Sequence, residues 1–234
     1  MEPLVDKIRK TLIAHNMIVS GDKVLVALSG GSDSVFLLTL LRKLSDELNI
    51  KLFAAHVNHL ARGNDSYRDA KFVKEFCENL NIESYFSEID VKNARGMPKS
   101  SFQETARILR YEFLNKVLKK INGNKIALGH TADDQAETVL MNITRGAGIR
   151  GISGIQPVRV KYIRPLIECR KKELLTYLKE FNIPYCNDSS NESKNYMRNR
   201  IRIDFIPYIE REFNSNIVDR LSNMSQLIRD DMDL

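Results

Sequence analysis

Apolar residues at Leu4, Ile8, Leu12 and Ile13 recur at helical spacing, and Gly21-Asp22 breaks that pattern before the uninterrupted run Val24-Leu25-Val26-Ala27-Leu28. A short apolar run bounded by a turn predicts a buried strand. The polar string Ser29-Gly30-Gly31-Ser32-Asp33-Ser34 follows at once, and Val35, Leu37, Leu38, Leu41 and Leu44 then form the apolar stripe of a helix. The unit is strand, glycine turn, helix. The alternation continues with a strand at 52–57, a helix at 70–80, a strand at 83–89, a long helix at 103–120, a strand at 125–129 and a helix at 132–144. Strands that alternate with helices fold as a parallel sheet covered on both faces. We expect an α/β domain with a five-stranded parallel sheet. Ligands of such sheets bind beyond the carboxyl ends of the strands, so the segments after strands one, two and four should converge on one crevice.

Beyond Gly146-Ala147-Gly148 the alternation weakens. Ile163-Arg164-Pro165-Leu166 is short and contains proline, 171–181 is helical, and 189–202 is polar. From Ile203 the pattern turns helical again through Ile206, Ile209, Phe213, Ile217, Leu221, Met224, Leu227 and Ile228, with Pro207 marking a break. The pattern is unfinished at Leu234. The expected organisation is one main domain over 1–212 and, over 213–234, a linker helix or the start of a further domain. The stripe from Ile217 to Ile228 could equally serve as a homodimer surface.

Composition narrows the class. With 43% hydrophobic and 28% charged residues, collagen-like, disordered and disulfide-stapled chains are excluded. No segment approaches the roughly 18 uninterrupted apolar residues of a membrane span, and Met1-Glu2-Pro3 is unlike a targeting leader. A cytoplasmic location is expected. Cys77, Cys169 and Cys186 are widely spaced, without a C-x-x-C pair, and are expected as free thiols. The net charge of +6 is concentrated: between Arg159 and Arg202 there are eleven cations and five anions, while the remainder balances at 25 against 25. That excess suits a surface facing a polyanion, or a set of solvated helix faces.

The string from Ser29 to Ser34 carries the strongest chemical signal. Adjacent glycines let backbone N–H groups turn toward an anion, and the positive end of the following helix adds to the attraction. It is a phosphate cradle, but neither the G-x-x-x-x-G-K-[ST] loop nor the G-x-G-x-x-G fingerprint. Asp33 would repel a phosphate unless a metal lay between them, so Mg²⁺ is implied. The plain alternative is a ligand-free glycine turn capped by Ser32.

Ser29-Gly30-Gly31-Ser32-Asp33-Ser34 resembles the signature of the PP-loop ATP pyrophosphatases. Three further strings resemble the tRNA(Ile)-lysidine synthetase branch of that superfamily: His56-Val57-Asn58-His59-Leu60-Ala61-Arg62, Gly129-His130-Thr131-Ala132-Asp133-Asp134-Gln135-Ala136-Glu137-Thr138, and Asn195-Tyr196-Met197-Arg198-Asn199-Arg200-Ile201-Arg202. The match runs from about residue 20 to about residue 210; most long bacterial members carry further carboxyl-terminal domains. The resemblance implies an adenine-nucleotide hydrolase-like, Rossmann-like domain that uses ATP and Mg²⁺. It also implies the substrates, L-lysine and a tRNA(Ile) with a CAU anticodon, and the product, a lysidine at the wobble cytidine.

The resemblance also implies roles. Ser29, Gly30, Gly31, Ser32, Asp33 and Ser34 would hold pyrophosphate, with Asp33 on Mg²⁺, and His56, Asn58, His59, Gly129 and His130 would line the rest of the ATP site. Asp134 and Glu137, three residues apart on one helical face, would bind the lysine, Asp134 also helping its amine lose a proton. Two acids in a first helical turn are favourable there in any case. Arg107 and Arg110 would neutralise charge developing on the α-phosphate, as a guanidinium fork can. Arg202 would join them in catalysis. Arg62, Arg145, Arg150, Arg198, Asn199, Arg200 and Arg202 would meet the tRNA. A zinc site of His56, His59 and His130 matches no spacing pattern. Two other readings stay open: a tRNA thiolase of the same superfamily, which would call for paired cysteines, and a nucleotide- or tRNA-binding module without turnover.

Overall fold

The computed structural model describes residues 2–58, 64–89, 102–187 and 196–232. Helix α1 (Glu2–Ala14) buries Leu4, Val5, Ile8 and Leu12, whereas Ile13, expected on the same stripe, turns to solvent. One residue past Leu12 is about 100° around the helix, enough to leave the buried face. Then come β1 (Lys23–Ala27), α2 (Ser32–Leu44), β2 (Lys51–Asn58), α3 (Asn64–Asn79), β3 (Glu83–Glu88), α4 (Phe102–Lys120), β4 (Lys125–Ala127) and α5 (Ala132–Thr144). Each predicted strand and helix of this half is present, with ends displaced by a few residues.

Among the described residues the sheet has six strands in the order β3-β2-β1-β4-β6-β5, where β5 is Val158–Arg159 and β6 is Tyr162–Ile163. Every pairing is parallel except β5 with β6. The parallel part has the five strands expected. The sixth is a two-residue edge strand joined to β6 by a tight turn at Val160, φ 55°, too short to leave any alternation in the sequence. In β1, Val26 lies opposite Ala54 of β2 and Ala127 of β4. Chain order reverses on either side of β1, which opens a crevice at its carboxyl end.

Both faces of the sheet are covered. One apolar cluster joins α1, α2, α3 and α7 (Lys171–Glu180) to the sheet through Ile8, Phe36, Leu40, Val73 and Leu174. A second sets Leu114 and Val117 of α4 against Leu25, Phe53 and Ile126. The two helical faces hold the strands rigid, and with them the loops at their ends.

After α6 (Ile149–Ile152) and α7 the chain re-enters the description at α8 (Met197–Arg200), a π-helical turn (Ile201–Phe205), α9 (Ile206–Glu212) and α10 (Ile217–Met232). Pro207 does not break the helix where the sequence suggested. The Ile206 N–H reaches five residues back to the Ile201 carbonyl, and Pro207 falls in the first turn of α9, where a missing N–H is tolerated. The interruption comes after Phe213. Val218 and Leu221 of α10 are buried with Ala132, Ala136 and Val139 of α5. Among the described residues no helix is long and apolar enough to cross a membrane.

Candidate active site

The turn after β1 is shaped by its own serines. Gly30 has φ +92°, which glycine adopts at little cost, and its carbonyl accepts a hydrogen bond from the Cys186 N–H at 2.9 Å. Ser34 Oγ accepts from the Ser29 N–H at 3.1 Å and donates to the Gly31 carbonyl at 3.0 Å. Gly31 caps α2 with no side-chain bond, so the first-turn N–H groups of that helix face the crevice. Ser32 is not the cap: its hydroxyl donates to Asp33 Oδ1 at 3.1 Å.

The loop after β4 lies directly on this turn. A Cβ at Gly129 would stand 3.2 Å from the Asp33 carbonyl group and 3.3 Å from the Ser34 nitrogen. On β2, His56 donates from Nδ1 to the Leu28 carbonyl at 2.9 Å. That bond sets the tautomer and leaves Nε2 an acceptor, buried and with no partner among the described residues. Burial lowers the pKa of His56. Asn58, two residues on, is buried as well. The ends of β1, β2 and β4 thus converge, as expected. His130 follows Gly129; burial pushes its pKa down to about 4, and its Nδ1 is enclosed without a partner among the described residues.

At the start of α5, Thr131 and Asp134 cap each other. The Thr131 N–H donates to Asp134 Oδ2 at 2.9 Å, and the Asp134 N–H to Thr131 Oγ1 at 3.4 Å. Capping uses one carboxylate oxygen and leaves Oδ1 for a second task. Arg198 Nη2 donates to it at 2.8 Å and Arg198 Nε to Glu137 Oε2 at 2.6 Å. Arg202 grips Glu137 through Nε to Oε1 at 2.5 Å and Nη2 to Oε2 at 3.0 Å. Four residues separate Arg198 from Arg202, so one helical face carries both. The Glu137 side chain is 1% exposed and would be an unpaired buried charge without them. Burial pushes the Asp134 pKa up, but Arg198, His130, the Thr131 N–H and Arg202 together hold it below the ordinary carboxylate range.

Asp133 faces the other way. Its Oδ2 accepts from the Lys171 N–H at 2.6 Å, at the start of α7, and its Oδ1 lies 3.5 Å from Arg170 Nε. Arg170, 8% exposed, also pairs with Glu210 of α9 at 2.9 Å and Asp219 of α10 at 3.1 Å. Lys171 Nζ donates to Asp33 Oδ2 at 3.2 Å. Burial raises the Asp33 pKa, with the Lys171 charge opposing. A small cavity of about 80 Å³ is lined by Asp33, Thr131, Asp133, Asp134, Glu137, Lys171, Arg202 and Ile206.

Of the residues singled out in the sequence, the structure therefore gathers Ser29 to Ser34, His56, Asn58, Gly129, His130, Asp134, Glu137, Arg198 and Arg202 around one crevice. Arg107 and Arg110 lie exposed on α4, 5.5 and 5.9 Å from the Tyr111 ring centroid, and do not line the cavity. Arg145 ends α5 and Arg150 sits on α6, both exposed. Asn199 and Arg200 share α8, where Arg200 borders an open groove of about 630 Å³ with Met197, Phe205 and Tyr208. His59 and Arg62 fall outside the described residues. Sequence reasoning missed Lys171, Arg170 and the capping role of Thr131. The run Arg170-Lys171-Lys172 at the start of a helix was the available signal, since cations are unfavourable there without acidic partners.

Residues 3–209 match a family model described as the PP-loop domain. A tRNA(Ile)-lysidine synthase of Clostridium acetobutylicum is 42% identical over 231 residues, covering 98% of this chain and 50% of that protein. A tRNA(Ile)-lysidine synthase of Chlorobaculum tepidum is 37% identical over 220 residues, 94% of this chain and 66% of that protein. The chain spans about half the length of the curated clostridial relatives it matches. Among solved structures, the U34-tRNA thiolase NcsA from Methanococcus maripaludis, with its [4Fe-4S] cluster, superposes with a TM-score of 0.75 at 24% identity, over 96% of this chain and 78% of that one. At that identity the likeness speaks for the fold.

Proposed function

The chain belongs to the PP-loop family, and from that premise we propose that it joins L-lysine to C2 of the wobble cytidine of a tRNA(Ile) with anticodon CAU, at the expense of ATP. The observation that carries this reading is the pair Asp134 and Glu137 lining the same cavity as Asp33 of the phosphate cradle. An acidic pocket for an ammonium beside an anion cradle suits a reaction that brings an amine to an activated nucleotide. The curated relatives named above support the choice of lysine and tRNA(Ile).

In the first step the cytidine 2-oxygen attacks the α-phosphorus of ATP, and the bond from that phosphorus to pyrophosphate breaks. The uncapped start of α2, with the exposed Ser29 hydroxyl, would receive the pyrophosphate, while Ser34 holds the turn in shape through its bonds to Ser29 and Gly31. His56 Nε2, an acceptor, suits a ribose hydroxyl or an adenine amino group. Among the described residues no three His, Cys, Asp or Glu side chains form a cluster able to hold a metal. Mg²⁺ fits here nonetheless, because it commonly takes one or two carboxylates together with substrate phosphates and water. Asp33, partly buried beside the cradle, would be that carboxylate. Mg²⁺ would supply neutralisation of the phosphate oxygens. Arg202, which lines the cavity, would complement the charge that develops at the α-phosphate, and Arg110, whose charge reaches His130, would add to it.

In the second step the lysine ε-amine attacks C2 of the adenylated cytidine and AMP leaves. Asp134 and Glu137 would hold the incoming ammonium on carboxylates that Arg198 and Arg202 also grip. A carboxylate kept below its ordinary pKa range is a weak base, so Asp134 would act mainly by its charge, and desolvation in the enclosed pocket would favour the neutral amine. Arg62, Arg145, Arg150, Asn199 and Arg200 would meet the tRNA. The thiolase reading gains nothing from the cysteines: burial pushes the Cys77 and Cys169 thiols up to about 11 and about 12, away from reactivity.

Two substitutions separate the steps. Asp33→Asn should abolish tRNA-dependent pyrophosphate release, whereas Glu137→Gln should leave that release within about threefold of wild type and raise the KM for lysine at least tenfold, near the loss expected for one charged hydrogen bond. Full pyrophosphate release by Asp33→Asn would overturn the cradle assignment.

A further inference from the structure

Lys171 has no part in the chemistry derived so far, yet its side chain lines the cavity and its ammonium is bonded to the one carboxylate of the phosphate cradle, Asp33 Oδ2, at 3.2 Å. The pair is far apart in sequence and does not arise from a shared helix. It is built: the Lys171 N–H is held by Asp133 Oδ2 at 2.6 Å, and the preceding Arg170 is locked to Asp133, Glu210 and Asp219. The backbone of Lys171 is therefore fixed at the start of α7, and only its flexible stem carries the ammonium to Asp33. Its side chain keeps 37% of its exposure, against 25% for Asp33, so the contact is open enough to exchange.

We infer that Lys171 is a resident counter-ion of the phosphate cradle: it occupies Asp33 in the ligand-free protein, competes there with a divalent cation, and contributes its positive charge to pyrophosphate binding. Asp33 is partly buried and shares its cavity with Asp133, Asp134 and Glu137, so its charge needs a cation whether or not a nucleotide is present. An ammonium meets that need without fixed coordination geometry. It can give way to a cation and remain beside the phosphates, as lysine does in other phosphate loops, acting as a point charge. This inference rests on the reading of Asp33 as the metal carboxylate.

The test uses the full chain and two ligands that need neither tRNA nor turnover. Mn²⁺ binding to the nucleotide-free protein, followed by electron paramagnetic resonance, should tighten about three- to fivefold in Lys171→Met, the range an exposed ion pair can supply. Pyrophosphate binding without metal, measured by calorimetry, should weaken about five- to tenfold in Lys171→Met and return to within twofold of wild type in Lys171→Arg. A merely structural lysine would move neither affinity in this pattern. Asp33→Asn is the control that separates the two claims. If it leaves Mn²⁺ binding unchanged, the metal reading of Asp33 fails, and this inference with it. If Asp33→Asn loses Mn²⁺ while Lys171→Met binds Mn²⁺ and pyrophosphate as wild type does, the metal reading stands and the role given to Lys171 is wrong.

Discussion

His130 and the cysteines illustrate how far burial decides the behaviour of single residues here. The pKa of His130 is about 4, against an ordinary value of 6.5, because the enclosed ring disfavours its charged form. The folded value is the lower one, so the unfolded chain takes up the proton first as pH falls. The stability due to a neutral ring is complete above pH 6.5 and is lost progressively down to pH 4. His130→Asn should therefore show a shallower fall in urea midpoint between pH 6.5 and 4 than wild type; parallel profiles would contradict the burial argument. Cys77 and Cys169 are buried and Cys186 is half-buried. One thiol should react readily with a disulfide reagent at pH 8 in the native protein, and three after unfolding. At this scale the sequence was informative about identity and uninformative about partners. Asp134 and Glu137 stood out by their spacing and Arg198 and Arg202 by their charge. Nothing in either string announced that each pair would close on the other across more than sixty residues.

At the scale of elements, the site depends on two loops in contact. Gly129 is where they touch, and a methyl group there would press on the Asp33 carbonyl and the Ser34 nitrogen, both backbone atoms that cannot step aside. Gly129→Ala should weaken pyrophosphate binding about tenfold with little change in far-ultraviolet circular dichroism. Unchanged binding would mean that the loops tolerate separation. The start of α7 is the second joint. Removing Arg170 leaves Asp133, Glu210 and Asp219 without their shared cation, and Arg170→Met should cost about 2 kcal/mol of stability in urea unfolding. Hydrogen exchange should then show α9 and α10 losing protection before the sheet does. The alternating half of the chain was legible because parallel strands buried on both faces leave continuous apolar runs. The two-residue β5 leaves no such run. The π-helical turn before Pro207 was equally hidden, because a five-residue backbone bond has no residue signature.

For the whole molecule, the charge distribution takes on a different meaning once folded. The cationic stretch from Arg159 to Arg202 suggested an outward-facing polyanion surface, yet Arg164 and Arg170 are buried and Arg198 and Arg202 turn inward onto Asp134 and Glu137. Part of the excess thus builds the site, while Arg145, Arg150 and Arg200 remain at the surface. In the proposed reaction the inner cations order the acidic pocket and the outer ones meet the tRNA. The weakening of tRNA binding with salt should reflect the outer set alone, so Arg200→Gln should reduce the slope of log affinity against log salt by about one. An unchanged slope would place Arg200 away from the phosphate backbone. The most direct measurement is incorporation of labelled lysine into an isoleucine tRNA transcript carrying the anticodon CAU, with ATP and Mg²⁺, beside an otherwise identical transcript carrying UAU. Label confined to the CAU transcript and dependent on ATP is the predicted result. Pyrophosphate release with the CAU transcript but no label from lysine would contradict the account, because the activated cytidine would then be meant for another nucleophile.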